Sequence, residues 1–114
     1  MLDSSLVNDK IPNMDKVFKA MADPTRRRIL ELLRVREMSA GELAEQFELS
    51  KPTLSGHFAV LREADLVTSE KAGTSITYRL NISVLEQALL GFSNALGLGL
   101  ARDGGKSARR NKHV

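Results

Sequence analysis

Cysteine is absent from the 114 residues, and that absence removes several chemistries at once. Disulfides, thiolate metal sites, thiol nucleophiles and thiol redox sensing are all excluded. Histidine is nearly as scarce: there are two, His57 and His113, the second being the penultimate residue. Metal binding or catalysis built on imidazole therefore has little to work with. No apolar run approaches the ~18 residues needed to cross a bilayer, and no charged-then-apolar leader opens the chain. The expectation is a cytoplasmic protein without membrane insertion. No carboxylate pair, Ser/His/Asp set or phosphate-cradling glycine loop is present in the sequence. That argues against an enzyme and leaves no cofactor to expect.

Charge of one sign is lacking where it would be most informative. The net charge is +3 and the pI about 9.5, which points to a polyanionic partner. Yet residues 13–100 hold eleven Lys/Arg against eleven Asp/Glu. The excess lies in residues 101–114, with five basic residues against Asp103. A nucleic-acid footprint on the central part must therefore be a local cluster. Three regions are expected. Residues 1–12, "MLDSSLVNDKIP", read as a flexible N-terminal arm. Residues 13–100 read as one domain with a modest core. Residues 101–114, "ARDGGKSARRNKHV", lack apolar residues at helical spacing and read as a disordered basic tail.

The domain is punctuated by helix starts. "MDKVFKAM" sets Val17, Phe18 and Met21 at helical spacing. In "ADPTRRRILELLR", Asp23 suits an N-cap and Pro24 the first helical position, where its missing N–H costs little. In "MSAGEL", Ser39 and Glu42 form a capping box with Met38 and Leu43 as a hydrophobic staple. In "LSKPTL", Ser50 caps and Leu49 and Leu54 staple. These starts predict helices over about 39–47 and 50–63, separated only by Glu48 and Leu49, which is a helix-turn-helix. "LVTSEKAGTSITYRLN" follows as a β-hairpin, with Ile76, Tyr78 and Leu80 alternating and Ala72-Gly73 as the turn. "SVLEQALLGFSNALGLGL" opens on a further capping box, Ser83 and Glu86, and is apolar on nearly all sides. A terminal helix of a small domain cannot bury all of that alone, and the simplest partner is a second copy. The fold class expected is mainly α with a small β-hairpin wing.

"ADPTRRRILELL", "LSKPTLSGHFAVLREADLV" and "GTSITYRLN", in this order, resemble the ArsR/SmtB family of bacterial winged helix-turn-helix transcriptional repressors over roughly residues 14–95. The resemblance implies a homodimer built from the first and last helices. Val17, Phe18, Leu85, Ala88, Leu89, Phe92 and Leu96 are the interface positions expected. It also implies that the 50–63 helix enters the major groove of double-stranded DNA at an inverted-repeat operator, with the wing beside it. Metal-sensing members carry cysteines where this chain has Ser39 and Gly41, and Asp/His/Glu ligands on the last helix, where it offers Glu86. Both metal sites are thus missing. The chain looks closest to the metal-free branch that represses its own promoter; with no ligand cluster in the sequence, control by protein abundance or by a partner that sequesters the dimer is what is left to expect.

The 50–63 helix has an unusual outer side. Leu54, Phe58 and Leu61 line one face, and Pro52, Ser55, Gly56 and Ala59 the other. Small side chains let a helix backbone lie close to base edges in a groove about 12 Å wide; the plainer reading is tolerance of small residues on a solvent face. Ser55 can hydrogen-bond a base edge, Pro52 and Ala59 can touch thymine methyls, and Lys51 can reach a phosphate or guanine. Thr53 suits a phosphate or simple helix-start duty. The family's base-contacting positions match Lys51, Pro52, Ser55 and Gly56. Lys71, Thr74 and Ser75 are the wing candidates. Of Arg26-Arg27-Arg28, one or two can face DNA, Arg26 foremost. His57 lies near the apolar side and reads as a packing histidine. An alternative function is a winged-helix interaction module that docks a protein through the apolar C-terminal helix.

Overall fold

The structure, a computed structural model, describes residues 12–99. The expected arm and basic tail lie outside the described residues, apart from Pro12. The chain forms α1 (Met14–Met21), α2 (Pro24–Val35), β1 (Met38–Ser39), α3 (Ala40–Ala44), α4 (Lys51–Glu63), β2 (Val67–Ala72), β3 (Ser75–Leu80) and α5 (Ile82–Leu96). The strands make one antiparallel sheet in the order β1-β3-β2.

Most helix starts follow from single side chains. Asn13 Oδ1 accepts from the Lys16 N–H at the head of α1. Asp23 Oδ2 accepts from the N–H groups of Thr25 (2.8 Å) and Arg26 (3.1 Å), and Pro24 follows it. Partial burial works against the Asp23 charge, but the Arg26 and Thr25 N–H groups and the Arg26 guanidinium charge hold the carboxyl below its ordinary value. The Ser39–Glu42 capping box forms in both directions, at 3.0 and 2.9 Å. Ser50 Oγ accepts from the Thr53 N–H at 3.3 Å to start α4.

Several expectations are corrected. The helix expected over 39–47 ends at Ala44. The Gln46 and Phe47 N–H groups bond carbonyls three residues back, Leu43 and Ala44, so the chain tightens into a turn that hands over to Ser50. The last helix begins at Ile82, with no side-chain bond from its cap, Asn81. The Asn81 N–H bonds the Leu66 carbonyl at 2.9 Å. This pins the cap at Asn81, two residues ahead of the expected Ser83, and leaves Ser83 inside the first turn, where the Ser83/Glu86 box cannot form. The hairpin pairs Ala72 with Ser75, so its turn is Gly73-Thr74, with Gly73 at φ +63°. A left-handed first residue suits a two-residue hairpin and favours glycine. β1 is an added strand: Met38 and Ser39 pair with Tyr78 and Thr77.

The core gathers Val17 and Ala20 of α1, Ile29, Leu30 and Leu33 of α2, Leu43 of α3, Leu54, Phe58 and Leu61 of α4, and Val84 and Ala88 of α5. Phe58 lies 4.4 Å, ring to ring, from Tyr78, which clamps α4 to the wing. α4 ends with its last carbonyls satisfied: the Leu66 N–H reaches Leu61 O (3.1 Å) and the Asp65 N–H reaches Arg62 O (2.9 Å). This closure requires Asp65 in the left-handed region, at φ +61°.

Candidate nucleic-acid interface

The outer side of α4 is as bare in three dimensions as along the chain. Leu54, Phe58 and Leu61 are buried, whereas Lys51, Pro52, Thr53, Ser55, Gly56 and Ala59 are all exposed. A Cβ built on Gly56 meets nothing within 4 Å. Packing within the chain therefore gives no reason for glycine there. Lys51 and Ser55 also rim a small apolar recess between α3 and α4 that reaches Ala40, Gly41, Ala44 and Phe58. Thr53 is partly committed: its Oγ1 accepts from the Ser50 hydroxyl at 2.9 Å.

The wing stands beside this helix. β2 packs on α4 at its root, and Lys71, Thr74 and Ser75 are exposed at its far end. Arg79 braces the sheet through two bonds to Glu37 Oε1, at 2.9 and 2.7 Å. Those hydrogen bonds and the Glu37 charge push the guanidinium further above its ordinary value.

Arg26 does not stand free as a phosphate contact. Its Nε–H donates to Ala20 O (2.9 Å), Nη2 donates to Lys19 O (2.7 Å), and Nη1 lies 3.1 Å from His57 Nδ1. Arg27 donates to Met21 O and Arg28 pairs with Glu31. The first two arginines thus close the C-terminal end of α1, whose final carbonyls have no partner within the helix. His57 is part-buried, as expected of a packing residue. Its link to Arg26 was not legible in the sequence, because the two residues are 31 positions apart and no local pattern joins them.

The second surface is apolar. Phe18 of α1 and Phe92 of α5 meet edge to face, with ring centroids 4.9 Å apart. Around them Leu89 is 52% and Leu96 56% exposed. Two expected interface positions belong elsewhere: Val17 and Ala88 are only 2% and 1% exposed in the single chain. They fill its own core and have no surface left to offer. The uncovered strip is Phe18, Leu89, Phe92 and Leu96, with half-buried Leu85 packed against the core at its margin.

The residues at the family's metal positions do not suit a metal. Ser39 Oγ is used in the capping box and Gly41 has no side chain. Among the described residues no group of three or more His, Cys, Asp or Glu could hold an ion. No helix among them is long and apolar enough to cross a membrane.

Known proteins share this architecture and sequence. Residues 23–69, from the cap of α2 into the wing, match the family described as bacterial regulatory protein, arsR family. The transcriptional repressor SdpR of Bacillus subtilis is 42% identical over 86 residues, covering 75% of this chain and 96% of that protein. An arsenical resistance operon repressor of Staphylococcus xylosus is 40% identical over 73 residues, covering 64% and 70%. Among solved structures, HlyU from Vibrio cholerae superposes with a TM-score of 0.58 at 34% identity over 79% of this chain and 94% of that one. An ArsR family transcriptional regulator reaches a TM-score of 0.69 at 25% identity, covering 78% and 92%. These relatives are transcriptional regulators rather than enzymes. With the winged helix-turn-helix, the exposed outer face of its second helix and this extent of identity together, the chain belongs to the ArsR family of DNA-binding transcriptional regulators.

Proposed function

We propose that the protein is a homodimeric repressor that reads an inverted-repeat operator in its own promoter through α4 and the wing, without responding to a metal. The observation that carries this reading is Gly56. The centre of the exposed face of α4 holds a residue that is a poor helix former and that no contact within the chain requires. Close approach of a groove gives it a purpose. On this reading Ser55 and Lys51 meet base edges, Pro52 and Ala59 meet thymine methyls, and Thr53, Lys71, Thr74 and Ser75 meet the backbone.

The strip formed by Phe18, Leu89, Phe92 and Leu96 is the proposed dimer surface. In favour of it is its size: four large apolar side chains side by side on α1 and α5 are more than a lone chain usually leaves to water. A protein that covered this strip would compete with dimerisation, which is how a sequestering partner would act. The poor donor set at Ser39, Gly41 and Glu86 supports independence from metal. Repression rather than activation follows the names of SdpR and of the arsenical repressors; one relative, HlyU, is named a transcriptional activator.

A duplex carrying the protein's own promoter tests the reading. Affinity should fall steeply with salt as counterions are released. Inverting one half-site should abolish specific binding, and deleting the gene should raise expression from that promoter. Salt-independent binding, or expression that falls on deletion, contradicts it.

A further inference from the structure

Arg26 sits where three helices meet. It anchors α1 through the Lys19 and Ala20 carbonyls (2.7 and 2.9 Å), belongs to the first turn of α2, and reaches α4 at His57 Nδ1 (3.1 Å). A guanidinium only donates, so Nδ1 is the acceptor and the ring carries its hydrogen on Nε2. Asp23 steadies Arg26 alone: its Oδ2 accepts the Arg26 backbone N–H, while its 3.9 Å approach to His57 Nδ1 sets two acceptors face to face and adds no hold. His57 directly follows Gly56 and is two residues from Ser55, so the contact falls beside the reading face.

Beside this contact, this part of α4 is held by the apolar packing of Leu54, Phe58, Val60 and Leu61. Apolar contacts set distance but have little directional preference. A hydrogen bond from a cation is both strong and directional. We propose that the Arg26–His57 contact is a positioning device for DNA reading: it fixes the tilt of α4 against α1. This inference rests on the homodimeric DNA-reading function above, in which α1 is part of the partner-facing surface. α4 has 13 residues. A helix of that length spans about 20 Å, so a tilt of about 10° moves its far end by about 3 Å, close to one base-pair step. In a two-fold dimer both reading helices shift, and the fit to two half-sites one DNA turn apart is lost twice. Arg26 and His57 thus act on specificity without touching a base.

The test uses isosteric replacements in the full chain. Asparagine places its Oδ1 where histidine has Nδ1, so His57→Asn keeps the acceptor; His57→Leu has the same shape without it. Wild type is first used to select duplexes from a random pool. Each variant is then titrated against the selected duplex and a random duplex of equal length, with melting and sedimentation as controls. His57→Leu should stay folded and dimeric and bind the selected duplex about tenfold or more weaker, while its affinity for random duplex changes less than about twofold. His57→Asn should stay within about threefold of wild type on both. If His57→Leu fails to fold, His57→Gln, whose amide stands at the Nε2 position, takes its place in the comparison. Unchanged specific affinity without the acceptor, or His57→Asn as weak as His57→Leu, overturns the proposal. A wild type that selects no sequence counts against the DNA-reading function instead. The contact is then read from nitrogen spectra of the labelled full chain at about pH 8: a bare Nδ1 supports it, and an Nδ1–H ring overturns it.

Discussion

Gly56 and Asp65, nine positions apart on and just beyond α4, are each the less stable choice at their site, for different reasons. Gly56 is helical with open space beside it. Gly56→Ala should therefore raise stability by up to about 1 kcal/mol, read as a higher denaturation midpoint with an unchanged slope. Asp65 holds a left-handed conformation that costs a side-chain-bearing residue more than glycine. Asp65→Gly should add about 0.5 kcal/mol, and a lower melting temperature would show that the aspartate carboxylate contributes something the helix end needs. Legibility differs between such sites. The exposure of Gly56 could be read from the sequence, because Leu54, Phe58 and Leu61 at helical spacing define the opposite face. The left-handed turn at Asp65 and the tie from His57 to Arg26 depend on where the chain goes next, and no local pattern encodes that.

At the scale of elements, starts were legible where one side chain satisfies the first free N–H groups, and ends were not. Asp23, Ser39 and Ser50 cap as expected. Ser83 and Glu86 have the same spacing but form no box, since the bond from Asn81 to Leu66 decides where α5 begins. A long-range backbone bond overrode a local signal. β1 was illegible for the same reason: two residues carry no alternation, and its partner β3 lies about forty positions later. The short α3 reflects the turn into α4 rather than any helix breaker. The Asp23 cap gives a pH-dependent prediction. Its carboxyl titrates below its ordinary value in the folded protein. Its contribution is therefore complete above the unfolded value of about 3.9 and is lost as pH falls through the lower folded value. Asp23→Ala should cost about 1 kcal/mol at about pH 7, and the gap to wild type should narrow as both are melted below about pH 4. A gap that stays constant into acid would mean the cap acts without its charge.

The whole molecule carries two exposed surfaces, the bare face of α4 and an uncovered apolar strip on α1 and α5. Leu89 is 52% exposed in the single chain, so Leu89→Glu should leave the protomer folded while placing a charge in the proposed interface. That should cost about 2 kcal/mol or more of association. Sedimentation at micromolar concentration should then show folded monomer, and a persisting dimer would move the interface elsewhere. Removing residues 101–114 takes away five basic residues and Asp103. Binding to operator and random duplex should weaken by similar factors with a shallower salt slope, whereas loss confined to the operator would mean the tail reads sequence. Footprinting of wild type and Gly56→Leu side by side on the protein's own promoter decides whether the bare face of α4 meets DNA. A leucine there projects into open space and should leave folding and dimerisation intact. It should hold α4 away from the bases and cost about 1–3 kcal/mol of specific binding, with the symmetric footprint fading at concentrations where wild type protects fully. If Gly56→Leu protects the same inverted repeat with unchanged affinity, the bare face of α4 is idle surface, and the assignment of that face to DNA is contradicted.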